Sequence, residues 1–98
     1  MRPLSSESIL KTERVTLCNR LGLHARAASK LVSTAAEFQS SVSVVRDGRR
    51  VNAKSIMGVL MLAAPVGTEL DIECDGTDED EALAALVALV NDRFGEGE

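Results

Sequence analysis

His24 and Arg26 follow Gly22 in one short stretch, and their side chains are of the types that can carry and bind a phosphoryl group. A neutral imidazole is a nucleophile near neutral pH, and His24 is the only histidine in the chain. The first backbone amides of a helix have no intrahelical acceptor and, with the helix dipole, favour a dianionic group. The guanidinium of Arg26 adds a planar fork of donors for the same oxygens. This spacing suggests a histidine that carries phosphate.

A strand and a helix flank this stretch and would position it. Val15 and Leu17 alternate with polar residues, as in a half-buried strand. Gly22 permits a sharp turn. Helical spacing then extends from Ala25 to Phe38, so His24 lies where the helix begins. The helix would bury a stripe of small and apolar residues, namely Ala28, Leu31, Val32, Ala35 and Phe38.

The middle of the chain predicts a hairpin and a short helix. Residues 41–53 alternate as two strands around Asp47-Gly48, a strong hairpin signal. Ser55 then precedes an apolar run over residues 56–64 and is a natural N-cap. This run is apolar on nearly every side, so part of it must be exposed. Met57 and Met61 either fill the core or belong to a contact surface, and the residues leave both readings open.

The last third predicts a strand and a helix. Residues 68–74 alternate as a fourth strand. A helix starts within Thr77–Asp80, where acids suit the dipole, and its apolar stripe extends to Phe94. We read the acids at 78–81 as a solvated first turn rather than a metal site, because no His or Cys completes a ligand set. Residues 96–98 are expected to fray.

These elements predict an α+β fold in the order strand, helix, strand, strand, helix, strand, helix. Strands that are apolar on one face and polar on the other suit a four-stranded antiparallel sheet with three helices on one face. A length of 98 residues indicates one domain. We expect a flexible leader over residues 1–11, the folded domain over 12–94 and a tail over 95–98.

Composition excludes several classes of function. A net charge of −4 and the absence of Trp and Tyr argue against nucleic-acid binding. The sequence contains no run of about 18 apolar residues, the length needed to span a membrane. Its first residues do not resemble a secretory signal, so we expect a cytoplasmic protein. Cys18 and Cys74 are too few and too scattered for a disulfide scaffold and are expected to be free thiols.

Two motifs together resemble the HPr family, the histidine-containing phosphocarriers of bacterial phosphoenolpyruvate-dependent phosphotransferase systems. They are Gly22-Leu23-His24-Ala25-Arg26 and Lys54-Ser55-Ile56-Met57-Gly58. The likeness extends with compatible spacing from Val15 to Phe94. It implies an open-faced β-sandwich with strand order 1-4-2-3.

The resemblance also implies a mechanism. His24 would accept a phosphoryl group on Nδ1 from phospho-Enzyme I and pass it to an EIIA-type protein. The backbone amides of Ala25 and Arg26 and the Arg26 guanidinium would hold the phosphate. Such a protein is a carrier and not an enzyme, and we expect it to be a monomer that needs neither a cofactor nor a metal.

Regulation and docking follow from the same resemblance. Ser55 matches the family's regulatory serine, the substrate of an HPr kinase/phosphorylase in many bacteria. Docking of partners is expected to involve cationic, small and apolar residues near these motifs, namely Ala27, Lys30, Lys54, Ile56, Met57, Leu60 and Met61.

The branch and the function class have alternatives. Ala27 stands where sugar-transport members commonly have Pro, and Arg26-Ala27-Ala28 is similar to the nitrogen-related NPr branch, which favours a regulatory chain. The alternative function is a non-transferring interaction domain of the same fold, controlled through Ser55, with His24 as a helix cap. A small-molecule-binding domain has less support, because a thin core leaves little room for a pocket.

Overall fold

A computed structural model describes residues 11–97. Its strands are β1 (Lys11–Thr16), β2 (Ser41–Arg46), β3 (Arg49–Asn52) and β4 (Glu69–Asp75). Its α-helices are α1 (Ala25–Ala35), α2 (Ile56–Met61) and α3 (Glu79–Asn91), and a 3-10 turn (Arg93–Gly95) follows. The predicted order of elements is confirmed. The leader expected over residues 1–11 lies outside the described residues except for Lys11, which begins β1.

The four strands form one antiparallel sheet in the order β1-β4-β2-β3, as the resemblance implied. Apolar residues face each other across it: Val15 pairs with Leu70, and Val44 pairs with both Ile72 and Val51. Asp47 and Gly48 turn the hairpin with φ angles of 49° and 82°, which two-residue turns of this hand require. The hairpin predicted from this dipeptide is therefore confirmed.

The three helices cover one face of the sheet and enclose a mostly aliphatic core. Helix α1 packs against α2 and α3, and α3 packs against β1 and β4. Fully buried members from each layer are Leu17, Ala28, Leu31, Val44, Val59, Ile72, Leu86, Val90 and Phe94. The opposite face carries charged pairs such as Arg14 with Asp71, whose Nε and Oδ1 atoms are 2.9 Å apart. This matches the predicted division into one covered and one polar face.

Helix α1 ends at Ala35, three residues before the predicted end at Phe38. The segment after it is tied to the start of α3, because the Asp78 carboxylate accepts hydrogen bonds from the Gln39 and Ser40 amides at 2.9 Å and from the Ser40 hydroxyl. These bonds, chiefly that from the hydroxyl, hold the pKa of Asp78 below its usual value. Asp78 occupies the N-cap position of α3 but does not cap that helix with its side chain.

Helix α3 also ends earlier than predicted, at Asn91. Arg93 and Phe94 have φ angles of 55° and 54°, in the left-handed region, so the chain reverses there. Phe94 is nevertheless fully buried, which explains why its spacing resembled a continuation of the apolar stripe. The reversal directs Gly95 and Glu96 toward the start of α1.

Both cysteines are free thiols, as predicted. Cys18 is exposed, and its Sγ lies 3.4 Å from the carbonyl oxygen of Val90. Cys74 is buried between strands, and burial, assisted by the charges of Glu79 and Asp78, raises the pKa of its thiol to about 11.

Candidate functional site

The loop before α1 is held against the segment that follows α2. The Leu23 amide donates to the Ala64 carbonyl at 2.8 Å, and the Gly22 amide donates to the Asn19 carbonyl at 3.1 Å. Gly22 has a φ of 68°, and a Cβ atom on it would lie 2.6 Å from the Ala64 carbonyl oxygen. The residue therefore needs both the left-handed backbone and the absence of a side chain.

His24 is the N-cap residue of α1, as the sequence predicted. Its backbone is extended, with φ −81° and ψ −179°, and its Nδ1 accepts a long hydrogen bond of 3.4 Å from the Arg26 amide. The side chain is 27% exposed. One ring nitrogen thus faces the positive end of the helix dipole, and the imidazole remains accessible to a partner.

The other ring nitrogen of His24 contacts a carboxylate from the opposite end of the chain. Nε2 lies 2.6 Å from Oε2 of Glu96, and Asn19 donates from Nδ2 to Oε1 of Glu96 at 3.0 Å. Burial opposes ionisation of this carboxyl, but the hydrogen bonds from Asn19 and His24 outweigh it and hold the pKa of Glu96 below its usual value. The prediction that residues 96–98 fray is therefore wrong for Glu96.

The turn that carries Glu96 is anchored to α1. The ring of Phe94 is fully buried, and Lys30 donates from Nζ to the Phe94 carbonyl at 2.6 Å. Lys30 was predicted to dock partners, but its ammonium group already has this structural role. Neither Asn19 nor Glu96 was singled out from the sequence, because an isolated amide and an isolated carboxylate leave no periodic pattern.

An open cavity of about 620 Å³ borders His24 and has a predominantly cationic rim. Arg26 is exposed on this rim, and its guanidinium has no hydrogen-bond or ion-pair partner among residues 11–97. The structure thus brings His24 and Arg26 together, as predicted. The cavity is lined by Arg20, Leu21, His24, Ala25, Arg26, Lys30, Gly95 and Glu96.

The second motif forms the start of α2, beside α1. Ser55 is the N-cap of α2, and its hydroxyl accepts a hydrogen bond from the Gly58 amide at 3.2 Å. Lys54 donates from Nζ to the Phe38 carbonyl at 2.7 Å, so its charge is partly engaged by the segment that follows α1. Ala27 is fully buried in the core and cannot contact a partner; the prediction that it docks partners is wrong for that reason.

Helix α2 presents an apolar patch to solvent, formed by Ile56, Met57, Leu60 and Met61. Met57 and Met61 are 67% and 61% exposed, and only Val59 of this helix is fully buried. The alternative that these two methionines fill the core is therefore wrong. We call these four residues the α2 patch.

Residues 11–97 contain neither a helix that could span a membrane nor a cluster of metal-ligating side chains. None of the helices there has both the length and the apolar character needed to cross a bilayer. Nor does any group of three or more His, Cys, Asp or Glu side chains in that range have the arrangement needed to hold a metal ion.

Comparison with known proteins gives concordant results. A family model described as "PTS HPr component phosphorylation site" matches residues 11–92. The phosphocarrier protein HPr of Cupriavidus necator is 58% identical over 83 residues, 85% of this chain and 93% of that protein. The phosphocarrier protein NPr of Shewanella violacea is 45% identical over 87 residues, 88% of this chain and 96% of that protein.

Solved structures agree with the sequence relatives. HPr-C-His from Thermoanaerobacter tengcongensis superposes with a TM-score of 0.85 at 43% identity, covering 88% of this chain and 97% of that one. HPr from Bacillus anthracis superposes with a TM-score of 0.80 at 41% identity, covering 83% and 96%. Sequence, topology and the matched site region thus agree, and this chain belongs to the HPr family of phosphocarriers of the phosphotransferase system.

Proposed function

We propose that Nδ1 of His24 is the atom that accepts and passes on the phosphoryl group of this carrier. Family membership provides the phosphocarrier function and its classes of partner, an Enzyme I-type donor and an EIIA-type acceptor. The observation that supports the atomic assignment is the N-cap position of His24, where Nδ1 faces the Arg26 amide beside an open cavity with a cationic rim.

The chemistry requires little beyond positioning and neutralisation of charge. The lone pair of Nδ1 attacks the phosphorus of the donor's phosphohistidine, and the electron pair of the broken P–N bond returns to the donor ring. The phosphoryl oxygens then meet the Ala25 and Arg26 amides and the Arg26 guanidinium. The second transfer, to the acceptor, breaks the new P–N bond in the same way, so the protein carries a group without turning over a substrate.

A phosphorylation assay tests the assignment. The protein is incubated with phosphoenolpyruvate and an active Enzyme I, and we expect an acid-labile phosphate that His24→Ala abolishes. Acid-labile phosphate that persists in His24→Ala would contradict the assignment. Acid-stable phosphate lost only in Ser55→Ala would instead favour the alternative, a non-transferring domain controlled through Ser55.

The same phosphorylation assay tests the role of Arg26. Arg26→Ala is expected to slow phosphorylation by about tenfold to a hundredfold, because a developing anion loses its planar donor pair, and Arg26→Lys should be intermediate. Arg50→Ala is the matched control, since Arg50 pairs with Glu73 on the polar face of the sheet. Equal rates for all three variants would exclude a role for Arg26.

Regulation through Ser55 is part of the same proposal. Its half-buried hydroxyl lies at the N-cap of α2, beside the α2 patch, so phosphorylation would place a dianion next to a docking surface. An HPr kinase/phosphorylase is expected to introduce acid-stable phosphate that Ser55→Ala removes. Acid-stable phosphate at an unchanged level in Ser55→Ala would contradict the assignment.

We assign partner docking to the α2 patch together with the cations near His24. Exposed apolar side chains rimmed by charge are typical of transient interfaces. Arg26 is exposed, whereas Lys30 and Lys54 are half-buried and already donate to backbone carbonyls. Such a surface suits an acidic partner.

We assign this protein to the nitrogen-related branch of the phosphotransferase system. Two observations support this branch: the sequence Arg26-Ala27-Ala28 and the NPr relative at 45% identity. The higher identity of an HPr relative, 58%, counts against it. The acceptor distinguishes the branches. We expect the phosphorylated protein to transfer faster to a nitrogen-type EIIA than to a sugar-type EIIA, and the opposite order would place it in sugar uptake.

We also propose a monomer acting in the cytoplasm, where phosphoenolpyruvate supplies the phosphoryl group. The edge strand β3 carries Arg49 and Arg50 and no acidic residue, so pairing of two copies along β3 would oppose like charges. Light scattering at micromolar concentration should give the mass of one chain. A mass equal to that of a stable dimer would contradict the proposal that the protein is a monomer.

A further inference from the structure

We propose that Glu96, held by Asn19, is a positioning residue that fixes the tautomer of His24. Oxygen Oε2 of Glu96 lies 2.6 Å from Nε2 of His24, and Oε1 accepts from Nδ2 of Asn19 at 3.0 Å. The effect on the tautomer depends only on this geometry. Its consequence for phosphoryl transfer rests on the proposed function of His24.

The orientation of the Asn19 amide is set by its neighbours. Nδ2 lies 2.7 Å from the Gly22 carbonyl oxygen and 3.0 Å from Oε1 of Glu96. Both neighbours are acceptors, so the amide nitrogen rather than the oxygen must face them. The side chain is fully buried, and its Oδ1 has no partner among residues 11–97. Asn19 is thus a fixed donor for one oxygen of Glu96.

Glu96 in turn determines which ring nitrogen of His24 carries the proton. A carboxylate only accepts hydrogen bonds, so the short contact with Nε2 requires a hydrogen on Nε2. A neutral imidazole has one N–H, which leaves the lone pair on Nδ1. The Arg26 amide, a donor 3.4 Å from Nδ1, requires the same arrangement. Two independent contacts therefore select the tautomer with a nucleophilic Nδ1.

The same carboxylate also affects the phosphorylated form. After transfer Nδ1 carries the phosphoryl group and Nε2 keeps its hydrogen, so no proton enters or leaves and the ring becomes cationic. The Glu96 carboxylate faces that positive charge and favours the protonated ring, which is a better leaving group than a neutral one. The carrier can then release the phosphoryl group to its acceptor.

Glu96→Gln tests this directly because it replaces two acceptors by one acceptor and one donor. Asn19 remains a donor, so the glutamine oxygen is expected to face it and the glutamine NH₂ to face Nε2 of His24. Nε2 must then accept, which favours the tautomer with hydrogen on Nδ1. We expect the same donor to phosphorylate this variant about tenfold more slowly or worse, since the attacking lone pair is no longer on Nδ1.

The readout is unusually simple because His24 is the only histidine. With ¹⁵N-labelled histidine at alkaline pH, where imidazole is neutral, the two ring shifts report the tautomer of this residue alone. We expect hydrogen on Nε2 in the unmodified protein and a shift toward Nδ1 in Glu96→Gln. Thermal unfolding of both proteins verifies that the variant folds.

Glu37→Gln is the matched control: it removes the same charge from an exposed position after α1 and should change neither the tautomer nor the rate. Hydrogen on Nδ1 in the unmodified protein, or an unchanged tautomer in folded Glu96→Gln, would overturn the inference. If an active Enzyme I fails to phosphorylate the unmodified protein, the proposed function fails, and the ¹⁵N shifts still decide the role of Glu96.

Discussion

Single residues determine how the loop before α1 presents His24. Gly22 allows the backbone to pass close to the chain after α2, and His24 then caps α1 two residues later. On the other side of the ring, Glu96 supplies an acceptor. The orientation of the imidazole thus depends on a residue without a side chain as much as on the residues that touch the ring.

Gly22→Ala is expected to lower the free energy of unfolding by about 2–4 kcal/mol, because it combines left-handed strain with a collision at the Ala64 carbonyl. Gly48→Ala is the matched control. Its φ of 82° brings the same strain, but a Cβ there meets nothing within 4 Å, so about 1 kcal/mol is expected. Chemical denaturation measures both. Equal losses of unfolding free energy in the two variants would show that the backbone after α2 can shift to accommodate a methyl group on residue 22.

At the scale of elements, Asp78 joins two helices. Its carboxylate accepts from the segment after α1 while its backbone begins α3. The ionised form is the one that accepts these hydrogen bonds, which is why the pKa of Asp78 lies below its ordinary value of 3.8. The stabilising contribution of such a group is complete above that ordinary value and is lost as the pH falls through the lowered one.

Asp78→Ala is therefore expected to lower Tm by several degrees at neutral pH, and the difference from the unmodified protein should shrink as the pH falls below about 3.8. Thermal unfolding between about pH 2 and about pH 7, a range that includes the titration of carboxyl groups, measures this difference. Asp80→Ala is the control, because Asp80 is largely exposed and its carboxylate forms a long ion pair with Lys11, at 3.5 Å. A difference that stays constant through acid pH would contradict the role of Asp78.

The sequence predicted elements better than the contacts between their ends. Period and turn residues located every strand and helix, and Asp47-Gly48 identified the hairpin. The end of α3 was placed too late because burial of Phe94 follows helical spacing even though its backbone is left-handed. The contact of Glu96 with His24 depends on that reversal, and a single carboxylate after Gly95 gives no pattern from which to infer it.

The whole molecule has two unlike faces. Helices cover one side of the sheet and include both the start of α1, where His24 lies, and the α2 patch. The other side carries charged pairs between strands, such as Arg14 with Asp71. The net charge of the chain is −4, but three cationic residues line the cavity beside His24: Arg20, Arg26 and Lys30. A partner of opposite charge is thereby directed to one face.

Met57→Lys is expected to weaken docking to the Enzyme I-type donor, raising KM about tenfold with little change in kcat, because an exposed apolar contact becomes a hydrated charge. Tm should be unchanged, since Met57 is 67% exposed. Thr16→Lys, which adds the same charge to an exposed position on β1, is the control. An unchanged KM for Met57→Lys, or an equal rise in Thr16→Lys, would remove the α2 patch from the interface.

The enclosed ring of Phe94 has a practical consequence. The chain has only two phenylalanines: Phe94 lies two residues before Glu96, and Phe38 lies half-buried beyond the other end of α1. Fluorinated phenylalanine would therefore give a ¹⁹F spectrum of two lines. One line would report on the turn that holds Glu96, and the other would serve as an internal reference while the protein gains and loses its phosphoryl group.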